Sequence, residues 1–354
     1  MDVESAKLAR EAIIAHYAHS ARRLPWRTAP GDTARPDPYR VWLSEVMLQQ
    51  TTVTAVIPYF ERFTARWPTL TALAAADSAD VLGAWAGLGY YSRARNLIAC
   101  ARTIVAEYDG RFPSDEASLR RLPGVGDYTA AAIAAIGFGQ CAIPIDANVT
   151  RVVARLFAIT TPLPEAKGAV RDAAVQLWPM QGGGDFAQAL MDLGAGACST
   201  RAPRCATCPA SSWCMAHRQG IAETLPIKPA KKPKPERHGR ALWIAGERDG
   251  VASVWLVRRP PRGLLGGMRA LPSVMGPSNE WSDTPPPPPP GWCEMGAIRH
   301  IFTHFALTLV VERSHDAALA VGEGEWWPIS RLDEAGLPSL YRRAADLAIM
   351  EQVR

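Results

Sequence analysis

The chain has 354 residues, 48% of them hydrophobic and 21% charged, and 39 Lys and Arg against 34 Asp and Glu give a formal charge of +5. That length exceeds what one core usually fills, so two domains are expected, and the composition is that of an ordinary globular protein. No apolar run approaches the roughly 20 residues of a membrane-spanning helix, and the mild basic excess permits a nucleic-acid partner without demonstrating one.

The N-terminal MDVESAKLAREAIIAHYAH reads as a charged amphipathic helix without the apolar stretch of a secretory signal, which predicts a cytosolic protein. Apolar positions recur at three- and four-residue spacing as far as about residue 225, with breaks at Pro and Gly, and predict helices such as 69–86 and 169–178. LPGVGDYTAAAIAAIGFG, residues 122–139, opens with a Gly- and Pro-rich turn and runs into an Ala-rich helix. Gly124 and Gly126, flanking Val125, allow close backbone approach, and the N–H groups at the helix start suit a phosphate; an ordinary helix–helix turn has the same pattern.

CSTRAPRCATCPASSWC, residues 198–214, packs Cys198, Cys205, Cys208 and Cys214 at a C-x6-C-x2-C-x5-C spacing in a chain of seven cysteines. An odd count in a reducing compartment argues against a disulfide framework and for metal ligation. Four thiolates suit either structural zinc or a cubane iron–sulfur cluster, and one C-x2-C between singletons in a short loop favours the cluster. Cys100, Cys141 and Cys293 are expected to stay free. IKPAKKPKPERHGR, residues 227–240, holds four prolines and a run of basic residues without an apolar face, and reads as an interdomain linker. Domains are therefore expected at 1–226 and 241–354. In the second, ALWIAG, VASVWLVRR and IFTHFALTLVV predict strands, the first two joined by a hairpin turn at ERDG, in an α/β domain. Six prolines at 285–290 predict an exposed loop.

A four-cysteine loop closing an all-helical domain resembles the endonuclease III superfamily of helix-hairpin-helix DNA glycosylases, and L-P-G-V-G resembles their hairpin. The segments YRVWLSEVMLQQTTVTAVIPYFERF, 39–63, and GLGYYSRARN, 87–96, are very close to the MutY-type adenine DNA glycosylases. Together these matches cover most of residues 20–217. The resemblance implies a structural [4Fe-4S] cluster on the four cysteines and a duplex DNA substrate with adenine opposite 8-oxoguanine or G. It also implies a monomer of bacterial type, cytoplasmic and nucleoid-associated, with no membrane. Where bifunctional relatives carry a lyase lysine this chain has Tyr128, which cannot form a Schiff base, so the reaction should stop at base removal.

Hydrolysis of an N-glycosidic bond needs an acid for the leaving base and stabilisation of positive charge on the sugar, work that two carboxyl groups can divide. Glu45 lies in the apolar helix VWLSEVMLQQ, where desolvation should raise its pKa. The resemblance makes it the acid that protonates adenine at N7. Asp146, in IPIDANVTRV, matches the ionised aspartate that stabilises the sugar, and Asp before a helical stretch is also a common N-cap. Tyr128 and Asn148 match positions that support the intermediate and orient Asp146. Trp26 and Arg27 in LPWR, with Gln188 in FAQALMDLG, are assigned to the adenine pocket. Gln50 and Tyr90 match residues that fill the stack when a base flips out. Ala147 replaces the family glycine after the aspartate.

RRPPRGLLGGMRALPS, 258–273, resembles the entrance to a Nudix fold, but the acidic helix that binds metal in Nudix hydrolases is missing from the residues that follow. The resemblance implies that this domain inspects 8-oxoguanine through a Phe-Ser-His loop, here Phe302, Thr303 and His304; the alternative is a buried strand with a satisfied histidine. Rival readings are an endonuclease III-type glycosylase with lyase activity and a lesion-binding protein without catalysis.

Overall fold

Asp2, Asp37, Thr52, Thr69, Asp77, Asp115 and Asp146 each accept a hydrogen bond from a backbone N–H of the turn that follows, and each starts a helix. The helices of the first two-thirds of the chain are α1 (Val3–Ser20), α2 (Pro38–Leu48), α3 (Val53–Arg66), α4 (Leu70–Ala75), α5 (Ser78–Trp85), α6 (Ser92–Glu107), α7 (Glu116–Leu119), α8 (Asp127–Ala132), α9 (Ala147–Leu156), α10 (Lys167–Leu177), α11 (Gly183–Ala195) and α12 (Met215–Arg218). The computed structural model describes residues 1–352 apart from 33, 230–232, 261–262, 276–280, 289–290 and 315. The middle of the basic linker, parts of the Nudix-like segment and the last two of the six prolines therefore lie outside the described residues.

The helix expected over 69–86 is two helices. Ala76 turns the chain into an extended conformation, and Asp77 starts α5 by accepting from the N–H groups of Ala79 and Asp80. α8 continues into a π-helical turn over Ile133–Gly137. Two compact units divide the chain: Met1–Ala76 with Arg95–Ala230, and Asp77–Ala94 with Lys231–Arg354. Residues 77–94, read from the sequence as part of the helical domain, thus group with the second unit. In the first unit, Ile13 and Tyr17 of α1, Val149 and Val153 of α9, Val170 and Leu177 of α10 and Phe186 and Leu190 of α11 share one core.

The second unit contains a mixed sheet of β1 (Glu236–Arg248), β2 (Val251–Arg258), β3 (Arg269–Ala270), β4 (Ser273–Val274), β5 (Cys293–Ile301), β6 (Ala306–Ser314) and β7 (Gly324–Pro328). Strand order is β3-β2-β1-β6-β5, with β4 also on β1 and β7 also on β2. β1 runs parallel to β6, and the other pairs are antiparallel. Residues 236–240, assigned to the linker from their charge, are the start of β1. The ERDG turn is a two-residue hairpin, with Asp249 and Gly250 both at positive φ and Arg248 opposite Val251. IFTHFALTLVV is not one strand: β5 ends at Ile301, and Phe302–Phe305 turn the chain into β6. Trp243, Leu307, Leu309 and Val311 pack with Tyr341, Ala344, Ala345 and Ala348 of α13 (Ser339–Gln352).

Gly239 of β1 makes room for the buried Trp281, since a Cβ there would lie 2.3 Å from the indole ring. Gly239→Ala is therefore expected to lower stability by about 1–3 kcal/mol, the usual cost of overpacking. An unchanged urea midpoint would contradict this packing.

Candidate active site

The apolar sequence around Glu45 has its consequence in α2, where every residue from Val41 to Met47 is buried and Glu45 is itself only 7% exposed. Tyr128 of α8 donates its hydroxyl to Glu45 Oε2 at 2.7 Å. The Glu45 carboxyl is pushed up to about 7, chiefly by burial and further by the charge of Asp146, while the Tyr128 hydrogen bond and Arg27 pull the other way. Burial, with the charges of Glu45 and Asp146, raises the Tyr128 phenol well above its ordinary value, so it stays a proton donor at neutral pH.

Asp146 caps α9, its Oδ1 accepting from the Val149 N–H at 2.6 Å and its Oδ2 from Asn148 Nδ2 at 2.8 Å. Asn148 Oδ1 accepts in turn from Arg151 Nη2, and Arg151 also donates to the carbonyls of Gly194 and Cys198. One turn further on, the buried Arg155 donates to Cys198 Sγ at 3.3 Å and to the carbonyls of Ser199, Thr200 and Leu225. α9 therefore carries the Asp146 carboxylate at its head and braces the cysteine loop with its next turns.

Glu45 and Asp146, 101 positions apart in the chain, meet on the wall of one cavity of about 1180 Å³. Tyr128, Asn148, Trp26, Arg27, Gln188 and Gln50 line the same cavity. Trp26 is buried edge-on against Phe60, with ring centres 5.2 Å apart, so it is both core and wall. Gln188 is 4% exposed on α11. Tyr90, the 124–126 turn and Phe302–His304 do not line the cavity.

Gln50 and Tyr90 hold left-handed backbone conformations, with φ of 59° and 48°, which cost energy for a residue with a side chain and cluster at functional sites. Tyr90 is 48% exposed, and its hydroxyl lies 3.0 Å from that of Thr303. Within the 302–305 turn the Phe302 N–H donates to the Phe305 carbonyl at 2.8 Å, and Thr303 and His304 are exposed, so this is a hairpin tip and not a buried strand. The hairpin between α7 and α8 has Gly124 at φ +75°, where an added Cβ would come 2.6 Å from that of Asn96. Gly126 starts α8 without a side-chain cap, and Val125 is buried beneath the turn.

The four clustered cysteines form no disulfide and lie on a loop with short 3-10 turns at Cys205–Thr207 and Ser211–Trp213. Burial, with the charges of Cys198, Cys214 and Cys205, pushes the Cys208 thiol up to about 11. Among the described residues no three His, Cys, Asp or Glu side chains are closed around an ion position. Four sulfurs on one loop, one of them accepting from the Arg155 guanidinium, are the donor set that a cubane cluster or a structural zinc would take.

Asp192, Arg151 and Arg155 are not singled out by the sequence. Asp192 had a signal, an acid inside the apolar run ALMDLG that needs a buried cation; the others sit in ordinary helical patterns.

The helical fold matches a solved thermostable thymine-DNA glycosylase with a TM-score of 0.54 at 28% identity, over 61% of this chain and 98% of that one. An endonuclease III in complex with DNA gives 0.52 at 20% identity over 62% and 99%, a likeness of fold. The model for HhH-GPD superfamily base excision DNA repair proteins matches residues 43–180, and that for the NUDIX domain matches residues 242–347. These place the chain among helix-hairpin-helix base excision proteins with a Nudix domain appended. The adenine DNA glycosylases of Rattus norvegicus and Homo sapiens are 35% and 34% identical over 88% of this chain, covering 71% and 67% of theirs. That of Mycolicibacterium smegmatis is 42% identical over 56% of this chain and 66% of its own. The chain belongs to the adenine DNA glycosylase family, DNA N-glycosylases of base excision repair.

Proposed function

We propose that the chain removes adenine opposite 8-oxoguanine, and secondarily opposite G, by hydrolysis that leaves the strand uncut. The observation that carries this reading is the buried Glu45, held by Tyr128 on the wall it shares with Asp146. Protonated Glu45 gives its proton to adenine N7 as the bond to the sugar breaks with its electrons on the base. The ionised Asp146, fixed by Asn148 and the head of α9, stabilises the positive charge left on the sugar. Water then adds to the sugar carbon and gives its proton to a carboxylate. Tyr128 offers no amine, so no covalent enzyme–sugar adduct forms there.

For the base to enter the cavity it leaves the stack, and Gln50 and Tyr90, on strained exposed turns, fill the gap. The 124–126 turn holds a backbone phosphate. Phe302, Thr303 and His304 contact the opposite base, Thr303 keeping the hydroxyl of the family serine. Cys198, Cys205, Cys208 and Cys214 hold a [4Fe-4S] cluster, which cross-links the loop that Arg151 and Arg155 brace. The protein acts as a monomer.

Single-turnover incubation with duplexes carrying A:8-oxoguanine, A:G, A:C and thymine glycol tests the reading. Adenine should be released from the first two, and strand breaks should appear only after alkali. Strand cleavage at neutral pH, or action on thymine glycol, would favour the bifunctional endonuclease III reading. In the full chain, Phe302→Ala with His304→Ala is expected to reduce the preference for A:8-oxoguanine over A:G by roughly tenfold or more, the size of a specific base contact of about 1–3 kcal/mol. Retained preference would assign recognition elsewhere.

A further inference from the structure

The loop between α1 and α2, which brings Arg27 to the cavity, is pinned from several sides. Arg40 of α2 donates to the Pro25 carbonyl at 2.8 Å, and Trp26 packs on Phe60. The third anchor is Asp192 of α11. Its Oδ1 accepts from Arg22 Nε at 2.6 Å and from Arg27 Nη1 at 2.8 Å; its Oδ2 accepts from the Arg22 N–H at 3.0 Å and from the same Arg27 nitrogen at 2.8 Å. The Asp192 and Arg27 side chains are 11% and 8% exposed, so water screens the pair weakly.

We propose that Asp192 is a positioning residue for base excision: its carboxylate holds Arg27 against α11, and so keeps that guanidinium from pairing with Glu45. The inference rests on the reading of Glu45 as the acid. Ionisable groups reach Glu45 from three elements: Tyr128 from α8, Asp146 from the head of α9, and Arg27 from the loop before α2. Arg27 alone among these is a cation, and its charge favours the ionised carboxylate that cannot donate a proton. Two guanidinium groups share the single carboxylate of Asp192, so positive charge is already in excess beside the cavity. Without Asp192, Arg27 would still line the cavity, and the carboxylates left to it there include Glu45 and Asp146.

The test is the pH dependence, from pH 5 to 9, of the single-turnover rate on A:8-oxoguanine duplex by the full chain. In the unaltered protein the rate should fall as pH rises through the titration of Glu45. Asp192→Asn keeps the shape and removes the charge; its falling limb should move down by about one pH unit, giving about a tenfold loss at pH 8 and little loss at pH 5.5. Arg27→Gln added to Asp192→Asn should move the limb back up, and Asp192→Glu should hold it in place. A limb that stays put, or a loss equal at every pH, would leave Asp192 a scaffold residue and overturn the inference. If Asp192→Asn does not fold, Arg27→Gln alone decides, since its limb should move to higher pH and an unmoved limb overturns the proposal. An unaltered protein with no falling limb would instead refute Glu45 as the acid.

Discussion

Glu45→Gln is expected to bind a duplex with adenine opposite 8-oxoguanine as the unaltered protein does, and to release adenine at least a hundredfold more slowly. General acid catalysis commonly contributes about 10²–10⁴-fold, and the amide keeps the shape and accepts the Tyr128 hydrogen bond but has no proton of comparable acidity. Binding by gel shift and single-turnover excision on the same preparation check it; excision at the parental rate would remove Glu45 from the chemistry. Stability should change in the opposite sense. The folded Glu45 titrates near 7, above its ordinary 4.5, so protonation favours the folded state. That stability is present below about 4.5 and is lost as pH rises to about 7, by about 3 kcal/mol in order of magnitude. A neutral amide does not titrate and escapes this loss, so Glu45→Gln should melt above the parent at pH 8 and close to it at pH 4.5. Equal melting points at pH 8 would mean that burial does not perturb the carboxyl.

Asp146→Asn should separate two roles that coincide in one side chain. Asn is as good an N-cap as Asp, and its Oδ1 can still accept from the Val149 N–H, so the melting temperature should change little. The negative charge is lost, and with it stabilisation of the sugar cation; removal of one preorganised electrostatic group commonly costs about 10²–10³-fold, and here a full charge is removed. The expected result is a folded, DNA-binding protein with excision reduced by at least that factor at all pH values. A large drop in melting temperature with proportionate loss of activity would instead make Asp146 chiefly a cap. Asn148 gives the comparison: it contacts Asp146 Oδ2 but carries no charge, so Asn148→Ala should cost less than Asp146→Asn.

Much of the site was legible because its parts are short and local. The cysteine spacing lies within seventeen residues, and the hairpin turn within five. Glu45 betrayed its burial through flanking apolar residues, and Asp146 its cap through its place before a helix. The break at residues 76–77 was legible in principle from the Asp77 cap, but the Ala- and Leu-rich pattern on either side hid it. The pattern of IFTHFALTLVV reads as strand throughout, because aromatic and β-branched residues fill both arms and the tip, and it is the resemblance that marks Phe302, Thr303 and His304 as a loop, which the 302–305 turn agrees with.

The sequence by itself determined the helical first part, the strands that follow, the four-thiol loop and the carboxyl in an apolar helix, since each depends on periodicity, spacing or immediate neighbours. Only the tertiary structure decided that Glu45 and Asp146 face one cavity, that residues 77–94 group with the second unit, and that Asp192 binds Arg22 and Arg27. The reason is the same in each case. Such contacts join residues far apart in the chain, by 213 positions between Tyr90 and Thr303 and by 165 between Arg27 and Asp192. At such separations a residue's chemistry says what partner it needs, but only the packing of the helices and the register of the sheet determine which partner it meets.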